Sequence, residues 1–307
     1  MKKTLLAAVA VVGVGMLGLA GCSDPTSTSS DSSSSSTSSS STITIGSANF
    51  PESQLIATIY QEALQAKGVT VKTNYNIGAR EVYLKALEDG SIDLVPEYNG
   101  ALLADLNAKA TATSPTEVLA ALKKVMPSGI VTLPQSEAQD KDTLTVTAAT
   151  AKKYDLTTIA DLKSVAGQMS IGAGPEFAER QQGILGLKSL YGITFKKFTP
   201  LDSGGPLTLA ALVKGNVQVA DIFSTDSAIR TDKLVSLEDT KDLFTSQNVL
   251  PIIRKDKETP TVTAALNGVS KALTTENLTK YLAEVTVDKK SYTAVATEFV
   301  DAYNLGK

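Results

Sequence analysis

KALEDGSIDLVPEYNG (residues 85–100) and AALVKGNVQVADIFST (residues 210–225) are two versions of one corner. Each reads Ala-Leu, two residues, Gly, one residue, a β-branched aliphatic, and then an aliphatic run ending in an aromatic: Tyr98 in the first, Phe223 in the second. Ala-Leu-x-x-Gly reads as the end of a helix, because glycine adopts the left-handed conformation that stops a helix without a Cβ penalty. The run that follows is short and apolar, the pattern of a buried strand. A helix-to-strand corner used twice, with an aromatic closing each strand, implies that the chain builds one unit two times.

The flanking sequence extends the match. ITIGS (43–47) is a β-rich run, and residues 52–68 place Leu55, Ile59, Ala63 and Ala66 at helical spacing before Gly68. VTVKTNY (69–75) reads as a strand, 79–90 as a helix closed by Gly90, and SIDLVPEY (91–98) as a strand. The second half offers QMSIGAG (168–174), a helix near 176–191 closed by Gly192, ITFKKF (193–198), a helix near 206–214 closed by Gly215, and VQVADIF (217–223). Ile45 and Leu94 are 49 positions apart, Ile171 and Val219 48. With helices as crossovers the strands are expected to be parallel, and ligands gather at their carboxyl ends.

Two further runs complete the plan. LTVTAA (144–149) is a strand that carries the chain out of the first lobe, and VLPIIR (249–254) one that brings it back, which makes a two-strand hinge. Residues 262–304 read as helices capping the first lobe. The expected fold is α/β with two lobes, each a mainly parallel sheet flanked by helices: residues 43–143 plus 249–307 form lobe 1 and residues 144–248 lobe 2.

Composition narrows the chemistry. The 307 residues are 42% hydrophobic and 20% charged, enough for real cores. Lys and Arg number 29 against 32 Asp and Glu, so no basic field exists to hold nucleic acid. The chain has no histidine, which removes imidazole bases, imidazole metal ligands and Ser-His or Cys-His nucleophiles. Its one cysteine, Cys22, can form neither an intrachain disulfide nor a thiolate cluster. No cofactor is expected.

Cys22 has a different context. Lys2 and Lys3 precede an apolar run from Thr4 to Leu19, which ends in Leu-Ala-Gly-Cys. This is a signal peptide (residues 1–21) ending in a lipobox; the run is short for a span of about 20 residues and lacks a basic stop-transfer group. The lipobox implies cleavage before Cys22 and a lipid on its sulfur, so that the protein is anchored at the extracytoplasmic face of the cell membrane. Residues 22–42 follow with Ser and Thr in almost every place, a composition that cannot bury a core and serves as a flexible tether.

ITIGSANFPESQLIATIYQEAL (43–64), IGAREVYLKALEDGSIDLVPEYNGALL (77–103), EFAERQQGILGLKSLYGITFKKF (176–198) and ALVKGNVQVADIFSTDSAI (211–229) carry a family resemblance. In this order they resemble the substrate-binding lipoproteins of osmoprotectant ABC importers, across residues 43–307. The resemblance implies a type II periplasmic-binding-protein-like fold and a cleft for glycine betaine, choline, carnitine or a related quaternary amine. It also implies delivery to an ABC permease transmembrane subunit, no catalysis, and action as a monomer. A trimethylammonium group donates no hydrogen bonds, so such a protein selects it with aromatic faces and fixes a carboxylate tail with an arginine.

Carried onto this chain, the resemblance places an aromatic box at Tyr98, Phe223, Leu144 and Gln247. Two of the four are not aromatic, so the box is expected to be incomplete. Asp142 beside Gln247 then suits a larger or more polar solute, with an amino-acid-like zwitterion as the alternative ligand. Ser47 and Asn49 follow the first strand as ligand contacts, and Thr225 follows Phe223 either as a contact or, with Asp226, as turn and cap chemistry. Arg180 reads either as the carboxylate-binding arginine or as a salt-bridging helix residue, and Arg80 has the same two readings. Glu97 reads as a structural hydrogen-bonding residue. The competing classes are an exported enzyme using a carboxylate pair from Asp93, Glu97, Asp221 and Asp226, and an envelope sensor sharing the fold.

Overall fold

A computed structural model describes residues 42–307; the candidate signal peptide, Cys22 and the tether up to residue 41 lie outside the described residues. The first half runs β1 (Ile43–Ala48), α1 (Pro51–Ala66), β2 (Val71–Gly78), α2 (Arg80–Glu88), β3 (Leu94–Tyr98), α3 (Asn99–Leu106), α4 (Pro115–Val125) and β4 (Ile130–Thr132). The middle runs β5 (Asp142–Thr147), α5 (Ala148–Tyr154), β6 (Ser170–Ala173), a three-residue α6 (Ile184–Gly186), β7 (Lys197–Pro200), α7 (Pro206–Val213), β8 (Val219–Phe223), α8 (Ala228–Thr231) and β9 (Leu234–Ser236). The chain ends with β10 (Val249–Arg254), α9 (Pro260–Ala272), α10 (Thr275–Thr286) and α11 (Tyr292–Ala302).

The strands form two five-stranded sheets, β2-β1-β3-β10-β4 and β7-β6-β8-β5-β9. In each, a parallel trio stands first: β1 pairs with β2 and β3, and β6 with β7 and β8. Ile45 pairs with Leu94 and Ile171 with Val219, the residues whose near-equal spacing marks the repeat. The corner glycines Gly90 and Gly215 have φ of 80° and 74°, the left-handed geometry that ends α2 and α7.

Each sheet is then extended in the opposite sense. β10 runs antiparallel to β3 and β5 antiparallel to β8, so both sheets are mixed. The strands expected to form a hinge are therefore full sheet members. The crossing itself is a short paired segment, with Gln139 bridged to Asn248 and the Asp140 amide donating to the Gln247 carbonyl at 3.2 Å.

Burial follows these layers. α1 lies between the first sheet and helices α9, α10 and α11, in a core that includes Ile45, Ile56, Tyr60, Leu266, Tyr281 and Phe299. A second core joins β5, β6 and β8 through Leu144, Ile171 and Val219 to Phe177 and Phe244. The expected helix over 176–191 is broken. A 3-10 turn (Pro175–Ala178) gives way to irregular chain, then to α6 and a π turn (Leu187–Tyr191). A Cβ on Gly183 would lie 2.2 Å from the Phe177 carbonyl oxygen, so the chain folds back on itself there more tightly than a regular helix allows.

Candidate functional site

The carboxyl ends of β1, β3, β6 and β8 converge on one cleft, as the crossover geometry requires. The space between its lining atoms, open solvent at the mouth included, is about 680 Å³, and the room left for water-sized centres is about 60 Å³. Tyr98 and Phe223 both line it, so the two corners do bring their aromatics to one space. Between them stands a third ring: the Phe50 centroid is 6.1 Å from that of Tyr98 and 5.2 Å from that of Phe223, edge-on to the latter. Tyr83 and Phe177 also reach the wall.

The polar groups of the cleft divide into paired and unpaired. Arg80, from α2, donates to both oxygens of Glu97 at 2.7 and 3.0 Å, and Glu97 also accepts from the Tyr83 hydroxyl at 2.5 Å and the Tyr98 amide at 2.7 Å. Glu97 is fully buried, in keeping with a structural role. Arg180 stands at the break in the irregular segment and donates to both oxygens of Glu81 at 3.1 Å, linking the second-sheet side of the cleft to α2. Both arginines at the cleft are thus engaged by carboxylates.

Four acids line the same space: Asp140, Asp142, Glu176 and Asp221. Ser203 donates to Glu176 at 2.7 Å; Ser224 and the Thr225 amide donate to Asp140 at 3.0 Å each. Burial pushes the Asp140 carboxyl well above the ordinary range, and the neighbouring Glu52 charge pushes it further. Burial likewise raises Asp142, against the pull of Arg180 and Arg80. Asp221 is pushed well above the ordinary range by burial and then by the Asp142 charge.

Asn49, Tyr98, Asp142, Arg180, Phe223 and Gln247 line the cleft together, and Ser47, Leu144 and Thr225 do not. Leu144 is fully buried in the second core. It shares a sheet face with Asp142 but lies two residues further along β5, opposite Asp221, and its side chain packs into that core. Ser47 is buried at the irregularity in the β1–β2 register, where its hydroxyl accepts from the Asn76 amide at 2.8 Å and donates to the Ala48 carbonyl at 3.0 Å. Thr225 sits behind the wall and donates to Glu52 at 2.5 Å. Asp226 accepts from the Ala228 amide at 2.8 Å, the turn chemistry open to it from sequence.

Gln247 uses both ends of its amide, accepting from the Ala101 amide at 2.9 Å and donating to Gln182 at 3.0 Å. Glu52 is a polar residue that sequence reasoning missed, as it missed Asp140, Glu176 and Ser203 of the cleft lining. From the first turn of α1 it accepts from the Tyr98 hydroxyl at 2.7 Å and from Thr225, joining the two sheets behind the aromatic wall. An acid directly after Pro51 is also ordinary helix-start chemistry, which masks this second use. Phe50 lacked any signal beyond its place before Pro51.

Two lobes with a cleft at the strand ends, crossed twice by the chain, define a type II periplasmic-binding-protein fold. The family model for the substrate-binding domain of ABC-type glycine betaine transport systems matches residues 41–302, and the chain belongs to that family. The carnitine transport binding protein OpuCC of Listeria monocytogenes is 28% identical over 312 residues, covering 99% of this chain and 98% of the relative. The glycine-betaine-binding protein of Pseudomonas aeruginosa is 24% identical over 280 residues, covering 86% of this chain and 88% of the relative. A crystal structure of a glycine betaine/carnitine/choline ABC transporter component superposes with a TM-score of 0.67 at 22% identity, covering 86% of this chain and all of the other. Members of this family bind small solutes outside the cytoplasm for ABC permeases, and they are not enzymes. Among the described residues, no helix is long and apolar enough to cross a membrane.

Proposed function

We propose that the cleft captures a small organic cation of the quaternary-amine class, such as choline, carnitine or glycine betaine, and that the closed protein presents it to its permease. The observation that carries this reading is the Phe50, Tyr98 and Phe223 triad, which brings aromatic faces from both sheets to one space beside acidic side chains. Aromatic quadrupoles attract a diffuse cation, and desolvation in a cleft strengthens that attraction. The relatives named for carnitine and glycine betaine support the same class.

Lobe 1 of residues 43–143 plus 249–307 and lobe 2 of residues 144–248 are the bodies that close, with Cys22 carrying the lipid anchor and the protein acting as a monomer. Calorimetric titration with choline, carnitine and glycine betaine, repeated on Tyr98→Ala, tests the site. Saturable binding that weakens in the variant is expected. Absence of heat with all three solutes would move the search to other ligand chemistries.

A further inference from the structure

Asp221 is 2% exposed and lines the cleft, and its Oδ1 receives no hydrogen bond from any N–H or hydroxyl group among the described residues; the Asp142 carboxyl lies within hydrogen-bond reach of the Asp221 carboxyl and meets it only through a shared proton. A buried acceptor left unpaired is costly, and a ligand that supplies a donor removes the cost. Asp142 belongs to the same face: it pairs across the sheet with Phe223, and Asp221 lies two residues before Phe223 on β8. The two carboxyls are therefore diagonal neighbours on one sheet face, close enough to hydrogen-bond through a shared proton.

We propose that the Asp142–Asp221 pair is a donor-recognising subsite, which selects a cation whose polar end carries an O–H or N–H group in preference to one ending in a carboxylate. This rests on the reading of the cleft as a cation site. Anion capture has little to use here. The two lining arginines are held bidentately by Glu97 and Glu81, and a ligand carboxylate placed beside the Asp142–Asp221 pair meets its remaining negative charge. Burial raises both carboxyls of the pair, and two acids so close hold one proton between them. The oxygens of the pair that do not share this proton remain acceptors, and the pair's one negative charge faces the cation.

The test compares choline with its O-methyl ether, which keeps the trimethylammonium group and removes one donor, with glycine betaine as the carboxylate-bearing control. Calorimetry on the wild-type protein needs no variant to fold. Choline is expected to bind roughly five- to a hundredfold tighter than the ether, the range for leaving one buried acceptor unpaired. Glycine betaine is expected to bind more weakly than choline. In Asp221→Ala the choline-to-ether ratio is expected to fall to about one, and in Asp221→Asn, which keeps an acceptor oxygen, to be largely retained. Equal binding of choline and ether by the wild type overturns the subsite while leaving the cation cleft standing. Tighter binding of glycine betaine than of choline overturns it as well, and absence of binding by all three removes both readings.

Discussion

Phe50 is the residue on which the aromatic wall turns, since it bridges two rings that otherwise belong to different sheets. Removing one aromatic face from a desolvated cation costs about 0.5–2 kcal/mol, so Phe50→Ala is expected to weaken choline binding by about two- to thirtyfold in a calorimetric titration. An unchanged dissociation constant would place the cation elsewhere. Tyr98 and Phe223 were legible because each closes a repeated corner. Phe50 was not, because a ring between a strand end and a helix-starting proline carries no periodicity. Leu144 illustrates the converse: alternation places it on the same face as Asp142, and alternation does not say which of the two meets the cleft and which packs into the core.

Glu52 gives the residue scale a pH dependence. Burial raises its carboxyl, as burial and the Glu52 charge raise Asp140, so that folding favours the neutral form of each more than the unfolded chain does. For such groups the stabilisation is fully present below the unfolded values, about 3.9 for Asp and 4.3 for Glu, and is lost as pH rises through the raised folded values. Glu52→Gln keeps an acceptor and cannot ionise. Its melting temperature relative to wild type is expected to improve as pH rises from about 4 to about 8. A flat difference across that range would contradict a raised Glu52.

At the scale of elements, α2 does two jobs with adjacent residues. Arg80 points inward to fully buried Glu97, and Glu81 points across the cleft mouth to Arg180. Breaking a buried pair by removing one partner leaves an uncompensated charge, so Arg80→Ala is expected to lower stability by about 3–5 kcal/mol in urea unfolding. A loss below about 1 kcal/mol would show that the pair is solvated. The outer pair is half-exposed, and Glu81→Ala is expected to leave unfolding nearly unchanged while weakening apparent ligand affinity by up to about fivefold, through a less populated closed form. Unaltered affinity would show that the pair does not bias closure. The Arg180–Glu81 pairing was not legible, because the segment 176–191 carries helical periodicity while the chain folds back tightly at Gly183.

For the whole molecule, the repeat was the most readable feature. Two strand-helix-strand units with matched spacing imply two parallel trios, and the partners Ile45–Leu94 and Ile171–Val219 pair as that spacing suggests. Their strand ends define where a ligand sits before any side chain is considered. What spacing does not carry is the antiparallel addition of β10 to β3 and of β5 to β8, since that depends on how the chain returns after crossing. It is this addition that sets Asp142 opposite Phe223 and makes the cleft acidic as well as aromatic.

The most direct measurement is a crystal structure of the protein grown with choline. The expected result is a closed cleft with the trimethylammonium group within about 6 Å of the ring centroids of Phe50, Tyr98 and Phe223. Choline bound away from these rings, or a cleft that stays empty at saturating choline, would contradict the assignment of this site to an organic cation.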